Sequence, residues 1–560
     1  MVTPPIVTPL AVGLAVLVFA GFIWIARRSR SWTVFPGRTS ALLQSRWAPV
    51  AAGLLTVATV GVVWRSFDAP GVVHDERAYL LQAQIFARGR WTAPPPPIPA
   101  FFEQMHVFIE PAVFAKYPPA HALTLVPGIW LGLPGLMPAL LTGISGALTF
   151  WIARRLANEW VALLTWWLWT TAWPTLHWSA SYFSETTSSA AWMIAGWATL
   201  RWLDSERGTY LVYVAAALAW GFLARPLTMA ALTLPLAFVV VRRVVAGRCW
   251  KTLIIPAAVG GAILALGPLW NHQTLGDWWR DPYSYYSKVY FPFDKPGLGV
   301  DLSAPMRDLP PEIASVGEWS RDLHQRHVLS ALPSAFAVRL LAVLFWFAEG
   351  WRLVLGALLL AAVRHGTAGE RFGLIPIVIL LLAYLSFAHS PMWIVYYVEV
   401  LPIFYYLAAR QLGRLFLKFN DADVGESAHW PAATANATLA AMMLLVPLGV
   451  SDIVRVRSAV DTRHAFHRAV ESAMDNALPA EKAVVFVSYP PNHSPHLALT
   501  RNEPDLASAS RWLVYDRGSR NAELRAVAPD RRAYRLDART FQVEPLPALS
   551  AGSATNKEND

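Results

Sequence analysis

The residues of this chain best suited to chemistry gather at the two ends of one polar stretch. At its start, "VVHDERAYLLQAQIFARGRW" (72–91) places His74, Asp75, Glu76 and Arg77 a few residues beyond an apolar run. At its end, "FAKYPPAHALTLVPG" places Lys116, Tyr117 and His121 just before the next apolar run, with Pro118 and Pro119 stiffening the backbone between them. A carboxylate at the edge of a membrane is costly unless it is paired or functional. The residues alone leave two readings of the acidic pair open. It is a negative first turn that complements a helix dipole, with Arg77 as local partner; or it is a reactive group, with Asp75 sharing one helix face with Tyr79, Gln82 and Phe86, placed to take a proton. His74 and His121, with Asp75 or Glu76, also carry the atoms a divalent metal needs, although their spacing is that of no zinc motif. Lys116 by itself reads as a side chain snorkelling to the interface.

The elements that must position these residues are membrane spans. The 560 residues are 55% hydrophobic and only 15% charged, with a mean hydropathy of +0.37, whereas a soluble chain carries about 25% charged residues. Apolar segments near 9–26, 48–66, 134–153, 160–177, 184–202, 209–223, 227–241, 252–270, 343–363, 372–388, 398–417 and 432–450 give about twelve crossings of a hydrocarbon core about 30 Å thick. The fold class expected is therefore a polytopic α-helical membrane protein. The first segment is followed by "RRSR" and lacks a basic leader, so it reads as an uncleaved span. The net charge of +10 comes from Arg and Lys in every second connection, such as "RRLANE", "RRVVAGRCWK" and "RHGTAGER". The positive-inside rule then places those connections in the cytoplasm, and both termini and the long loops 67–133 and 271–342 outside. That pattern accounts for the charge without a nucleic-acid partner. A single Cys249 excludes an intrachain disulfide and a cysteine-based zinc site. The 27 Trp fit interfacial anchoring.

Residues 1–451 thus form the membrane-embedded part. From 452 the character changes: "RHAFHRAVESAMDNA" has helical spacing, "KAVVFVSY" and "RWLVYDRG" read as strands and "NAELRAVA" as a further helix. Residues 452–560 are expected to form a small extramembrane α/β domain. Within the spans, Arg225 interrupts an apolar sequence in "LARPLT"; it either snorkels or serves a site. Glu185 in "SYFSETTSS" reads as a helix start or a site residue, and Glu399 in "YYVEVLP", beside Tyr397, as a cavity group or the partner of an Arg. Asn271, Asp277, Trp278, Trp279 and Tyr283 in the second long loop would shape an acceptor cleft or an interfacial belt.

Taken in order, "HDERAYLLQAQIFARGRW", "APPPPIPAFFEQMHV", "AKYPPAHALTLVPGIWLGLP", "GFLARPLTMAAL", "NHQTLGDWWRDPYSYY" and "YYVEVLPIFYYLAA" resemble GT-C-fold glycosyltransferases, in particular bacterial relatives of protein O-mannosyltransferases and lipid A aminoarabinose transferases. The first loop carries the most specific part of this resemblance. It implies inverting transfer of a sugar from a polyprenyl-phosphate carrier to an acceptor hydroxyl of a lipid, glycan or protein, at the outer face of the cytoplasmic membrane. It assigns Asp75 as general base and Glu76 as its neighbour or a metal ligand. Lys116 and Tyr117, with Arg225 second, would bind the donor phosphate, and His74, His121, Glu185, Asp277, Tyr283, Tyr397 and Glu399 would line the substrate cleft. A divalent metal held by Asp75, Glu76 or His121 is the one cofactor considered. The sequence departs from its relatives at Glu185, where they tend to carry His, and at Ile394 and Val395, where they often carry Arg. A transporter or flippase for a lipid-linked substrate is the alternative, as is an inactive relative that only binds; related halves and mid-span charges, which a transporter would show, are not evident.

Overall fold

The computed structural model describes residues 9–32, 36–420, 430–478, 482–491 and 493–547. The chain opens with α1 (Pro9–Arg28), α2 (Pro36–Gln44) and α3 (Ala48–Trp64), α2 and α3 being bent by 85° at their junction. The first long loop is itself structured, as α4 (His74–Ala87), the two-residue strands β1 (Val107–Phe108) and β2 (Phe114–Ala115), and α5 (Pro119–Trp130). Then follow α6 (Leu136–Leu156), α7 (Glu159–Thr170), α8 (Trp173–Ser179), α9 (Glu185–Ser205), α10 (Thr209–Phe222), α11 (Pro226–Gly247), α12 (Ile254–Leu264) and α13 (Leu266–Leu275). The second loop carries α14 (Pro282–Tyr290) and α15 (Pro311–Arg326) before α16 (Leu332–Phe347), α17 (Leu353–His365), α18 (Ala368–Phe372), α19 (Ile375–Ala383), α20 (Leu401–Phe419) and α21 (Ala432–Ala477). Local chemistry sets many of these starts. Asn158 accepts from the N–H groups of Trp160 and Val161 ahead of α7, and Pro opens α5, α11 and α14, where its missing N–H costs nothing.

Among the described residues, seven helices are long and apolar enough to cross a membrane, or eight counting the bent α2–α3 pair. Of the other expected segments, 184–202 and 398–417 are the unbroken helices α9 and α20, of 21 and 19 residues, 209–223 is the 14-residue α10, and two are broken; one of the seven, Leu329–Phe347, begins inside the loop expected at 271–342. Residues 160–177 divide into α7 and α8. The expected span 343–363 breaks between α16 and α17, where Gly350 takes a φ of +61° that other residues rarely adopt. Beside that break, Arg352 and Trp351 both reach the Asp452 carboxylate, at 3.1 and 3.0 Å. Where α3 meets α6, glycines set the distance: a Cβ on Gly143 would lie 2.4 Å from the Val57 side chain, and one on Gly53 only 2.8 Å from the Gly143 carbonyl. Small residues of this kind let helices approach closely where no water drives them together.

The helix ends alternate between two faces. On one, Arg30 donates to the Phe419 carbonyl (2.9 Å) and Arg154 to the carbonyls of Leu43 and Ser45; this face collects the basic connections. On the other, Gly135 N–H donates to Phe67 (2.7 Å), Ala120 N–H to Leu223 (3.2 Å) and Gly297 N–H to Ser386 (2.7 Å). These bonds draw both long loops and the 384–400 segment over one end of the bundle, the loop face.

The 46 residues of α21 run without a break through the expected boundary at 451/452 and end beneath the C-terminal sheet. There β3 (Ala483–Ser488) lies between β4 (Arg511–Tyr515) and β5 (Arg532–Asp537), parallel to both, with α22 (Asn521–Val527) before β5 and β6 (Val543–Pro545) pairing antiparallel at the edge. Central β3 is buried along five of its six residues, as a strand covered on both faces must be. One face packs on α21 through Val470 and Met474. The other packs on the first loop through Phe101, Phe102 and Ile109.

Candidate active site

The site is built around the first turn of α4. Glu76 makes that turn possible: its Oε2 accepts from the N–H groups of Val72 (3.0 Å) and Val73 (2.9 Å), and its Oε1 from Tyr182 N–H (3.0 Å). A carboxylate at a helix N-terminus holds N–H donors strongly. The side chain is fully buried, 1% exposed. Glu76 thus ties α4 to the turn between α8 and α9, and the catalytic or metal-binding role expected for it does not fit, because both oxygens are occupied by backbone. Arg77 fastens the same turn to the C-terminal part: its Nη2 meets His467 Nε2 at 2.8 Å and its Nη1 donates to the Ala498 carbonyl.

Asp75 faces the other way. Its side chain keeps 27% of its surface, and the Tyr117 hydroxyl donates to Oδ1. Burial, then Asp75 itself, raises Tyr117 well above the usual phenol range, so this hydroxyl stays a donor. The Tyr117 ring stacks on Tyr79 at 4.5 Å, one turn along α4, and Tyr79 donates to Ser184 at 3.1 Å. His74 Nε2 lies 3.7 Å from Asp75 Oδ2, and His106 Nε2 3.7 Å from Oδ1. Burial above all, then neighbouring charges including Lys116, holds both imidazoles neutral. From the C-terminal part, His496 stacks on His74 at 4.7 Å.

Lys116 supplies the cation. It is 3% exposed, with its Nζ 4.5 Å from the Tyr283 ring centre, 5.1 Å from Tyr286 and 5.4 Å from Tyr117. Such ring faces attract a desolvated cation. Burial pulls the Lys116 ammonium below the usual lysine range, against the raising influence of Asp294 and Asp75. Burial would raise Asp294, yet it lies below the usual range because His324, Lys116 and Ser320 more than compensate; the Ser320 hydroxyl donates to it at 2.8 Å.

A second charged group sits at the adjoining helix ends. Arg225, at the start of α11, pairs through Nη1 with Glu185, the first residue of α9, and through Nε with Glu399 at 3.3 Å. Its Nη2 donates to Tyr384 Oη and the Val395 carbonyl, both at 3.3 Å, and its guanidinium lies 5.8 Å from the Tyr396 ring centre. Ser188 donates to Glu399 at 2.7 Å. The expected Arg partner of Glu399 is therefore Arg225, and Arg225 itself is engaged in every direction.

Five other expected residues lie elsewhere. His121 is buried with both ring nitrogens engaged, Nδ1 on Thr187 Oγ1 and Nε2 on the Tyr182 carbonyl, each 2.8 Å, which removes it as a metal ligand. Asp277 accepts from Trp279 N–H (2.9 Å) in an exposed turn; Trp278 and Trp279 are 49% and 89% exposed, so they line no cleft. Tyr397 is paired with His389 Nε2 at 3.0 Å.

His106, Asp294, Tyr384, Tyr396 and His496 were not expected. His106 stands at φ +67° in the turn before β1; its position between the proline-rich run and "KYPP" was the available signal. Asp294 follows the tyrosine-rich α14 in "FPFDKP". Among the described residues, His74, Asp75 and His106 are the one group whose ligand atoms all lie within 4.8 Å of each other. Two imidazole nitrogens and a carboxylate oxygen suit zinc or a similar divalent ion.

Residues 135–271 match the family model described as dolichyl-phosphate-mannose-protein mannosyltransferase. The chain thus resembles polyprenyl-phosphate-dependent glycosyltransferases of the GT-C type, as its first-loop motifs do. No curated protein sequence matches it. Among solved structures it is similar to ArnT from Cupriavidus metallidurans bound to undecaprenyl phosphate, at 15% identity and a TM-score of 0.49, covering 87% of this chain and 90% of that one. The same protein in the apo state gives 14%, 0.49, 86% and 92%. The archaeal oligosaccharyltransferase AglB from Archaeoglobus fulgidus, in complex with an inhibitory peptide and a dolichol-phosphate, gives 13%, 0.43, 88% and 70%.

Proposed function

We propose that the chain is a membrane glycosyltransferase that moves a sugar from a polyprenyl-phosphate donor to an acceptor hydroxyl, with Asp75 as general base and inversion at the transferred carbon. The observation that carries this reading is the pairing of a partly exposed carboxylate with a buried cation from the opposite end of the same loop: Asp75 and Lys116, joined through Tyr117. An acceptor hydroxyl becomes a competent nucleophile when a positioned carboxylate takes its proton. Attack by the acceptor oxygen breaks the sugar–phosphate bond from the opposite side, and the phosphate that leaves gains negative charge. Lys116 is held where that charge develops, in a dry aromatic setting where its attraction is strong. Tyr117 keeps the Asp75 carboxylate oriented. Glu76 acts by positioning the turn.

Arg225 is assigned a supporting role, since two carboxylates already share its charge. A divalent ion, when bound by His74, Asp75 and His106, would supply charge to the donor phosphate. The face follows from the basic connections: with those in the cytoplasm, the loop face and its site look outward from the cytoplasmic membrane, where a lipid-carried sugar phosphate and the acceptor meet. The 1–451 and 452–560 parts are read as the catalytic core and a domain that closes the site from above.

The test is transfer from a panel of radiolabelled polyprenyl-phosphate sugars in membranes, wild type against Asp75→Asn. The expected result is transfer from one donor class, reduced about 10²–10⁴-fold in the variant at equal abundance. Transfer indifferent to Asp75 would remove the base assignment. Absence of transfer from every donor, combined with donor-dependent lipid movement across the bilayer, would replace the reading with that of a flippase.

A further inference from the structure

The Glu185–Arg225–Glu399 group carries more negative charge than it neutralises. Glu185 is 3% and Glu399 1% exposed, and one guanidinium serves both, which leaves a formal excess of one negative charge among helix ends. Each carboxylate also keeps one oxygen, Oε2, without a hydrogen-bond partner among the described residues. A buried, unpartnered carboxylate oxygen is expensive, and the cost is normally removed by a counter-ion, a proton or ordered water.

Glu185 lines a cavity of about 30 Å³ between α6, α7, α8 and α9, with Thr142, Ser145, Thr175, Trp178 and Thr186 in its walls. That is room for roughly two water-sized particles. The walls are mixed: Trp169, Pro174, Trp178 and Val398 are apolar, and the polar part is made by Glu185 with hydroxyl groups. Thr142, Ser145 and Thr186 donate their hydroxyl protons to the carbonyls of Pro138 (2.8 Å), Leu141 (3.0 Å) and Phe183 (3.3 Å), so toward the cavity they can offer only lone pairs. Thr175 Oγ1 is unpartnered, as is Trp178 Nε1. The polar side of this half-open cavity, hydroxyl oxygens and one carboxylate beside a group one charge short of neutrality, has the donor set of a hard cation.

We propose that this chamber binds one monovalent cation of sodium size, ligated by Glu185 and the surrounding hydroxyl oxygens. The occupant is monovalent because one charge balances the group, and small because the cavity beside Glu185 measures only about 30 Å³. Where the transferase reading holds, and this consequence rests on it, a cation on Glu185 releases part of the Arg225 charge toward the donor phosphate. Donor affinity and cation affinity then rise together.

The experiment uses the purified full chain in detergent. Thermal stability is measured against NaCl, KCl and N-methyl-D-glucamine chloride at constant ionic strength, with retention of ²²Na⁺ as a direct readout, for wild type, Glu185→Gln and Thr175→Val. The expected result is a saturable stabilisation specific to sodium, about one ion retained per chain, loss of both in Glu185→Gln and a weakened sodium response in Thr175→Val. Should Glu185→Gln fail to fold, wild-type retention and Thr175→Val decide. Equal stability in all three salts with no retained ion overturns the proposal, leaving water in the chamber. Stabilisation by acid in place of sodium, abolished in Glu185→Gln, also overturns it, because a proton then occupies the carboxylate. Neither readout depends on sugar transfer, so failure here and failure of the transferase reading are separable.

Discussion

Asp75 and Glu76 are adjacent, of the same chemical kind and in the same helical turn, yet the fold treats them oppositely. Glu76 is sealed and saturated: three backbone N–H groups occupy its two oxygens. Asp75 has one tyrosine hydroxyl and an open side. The same contrast separates the two cations. Arg225 spends its donors on two carboxylates, a tyrosine and a carbonyl, whereas Lys116 is held by ring faces, which leave its N–H groups for an incoming anion. What marks a reacting group here is unspent bonding capacity in a fixed position, and both members of the proposed catalytic pair have it.

The largest effect that tests this contrast is the pair of amide substitutions. Asp75→Asn should remove transfer by about 10²–10⁴-fold while leaving thermal unfolding close to wild type. Glu76→Gln should do the reverse in kind: an amide NH2 would face backbone N–H donors, leaving buried donors unsatisfied at a cost of about 3–5 kcal/mol. Its signature is reduced abundance and a lower Tm, with the surviving protein still active. Equal Tm values for both variants, or a fully stable and inactive Glu76→Gln protein, would erase the distinction between them.

Next in size is Lys116→Met, which keeps the length and apolar stem in the tyrosine cage and deletes the charge. Transfer should fall about 10²–10³-fold, carried mainly by kcat because the phosphate gains charge as the bond breaks. The matching change at Arg225, Arg225→Met, should instead depress stability first, since it strands Glu185 and Glu399. An activity loss at Arg225 without a stability loss would show that the already paired cation is the one that meets the phosphate.

Much of this was legible in the chain itself. Apolar length gave the helices, and the change in periodicity after residue 451 gave the α/β tail. The boundary was placed inside α21 because a helix that leaves the bundle and continues beneath a sheet has an apolar stripe that fades without a turn signal. Asp75, Lys116 and Tyr117 were legible because one loop carries all three. Glu76 was misread because sequence shows a carboxylate's position but not which N–H groups reach it. Tyr384 and Tyr396 lie more than 250 residues beyond Asp75, in a segment that reads as apolar, and His496 belongs to the tail. Convergence of distant segments is set by tertiary packing, to which local pattern is blind. Trp278 and Trp279, with Asp277 beside them, stay open between a cleft and an interfacial belt in the sequence, because aromatic residues suit both.

Glu103 offers the smallest and most specific test, since it lies between the two extremes set by Asp75 and Glu76. It is buried in the first loop, with Arg307 from the second loop donating to Oε1 at 2.9 Å and Oε2 unpartnered among the described residues. Burial outweighs Arg307 and raises its carboxyl from the ordinary 4.5 to about 7. A folded-state value above the unfolded one means that stability is complete below pH 4.5 and is lost as pH rises toward 7. The loss is about 3 kcal/mol by the size of that shift. Glu103→Gln mimics the protonated form and should flatten the dependence: its Tm should match wild type near pH 4.5 and exceed it at pH 8. A wild-type Tm that holds steady from pH 4.5 to 8 relative to the variant would mean that Arg307 satisfies the ionised carboxylate fully. Glu103 would then belong with Glu76, as a saturated group that ties two loops together and takes no proton in the working range.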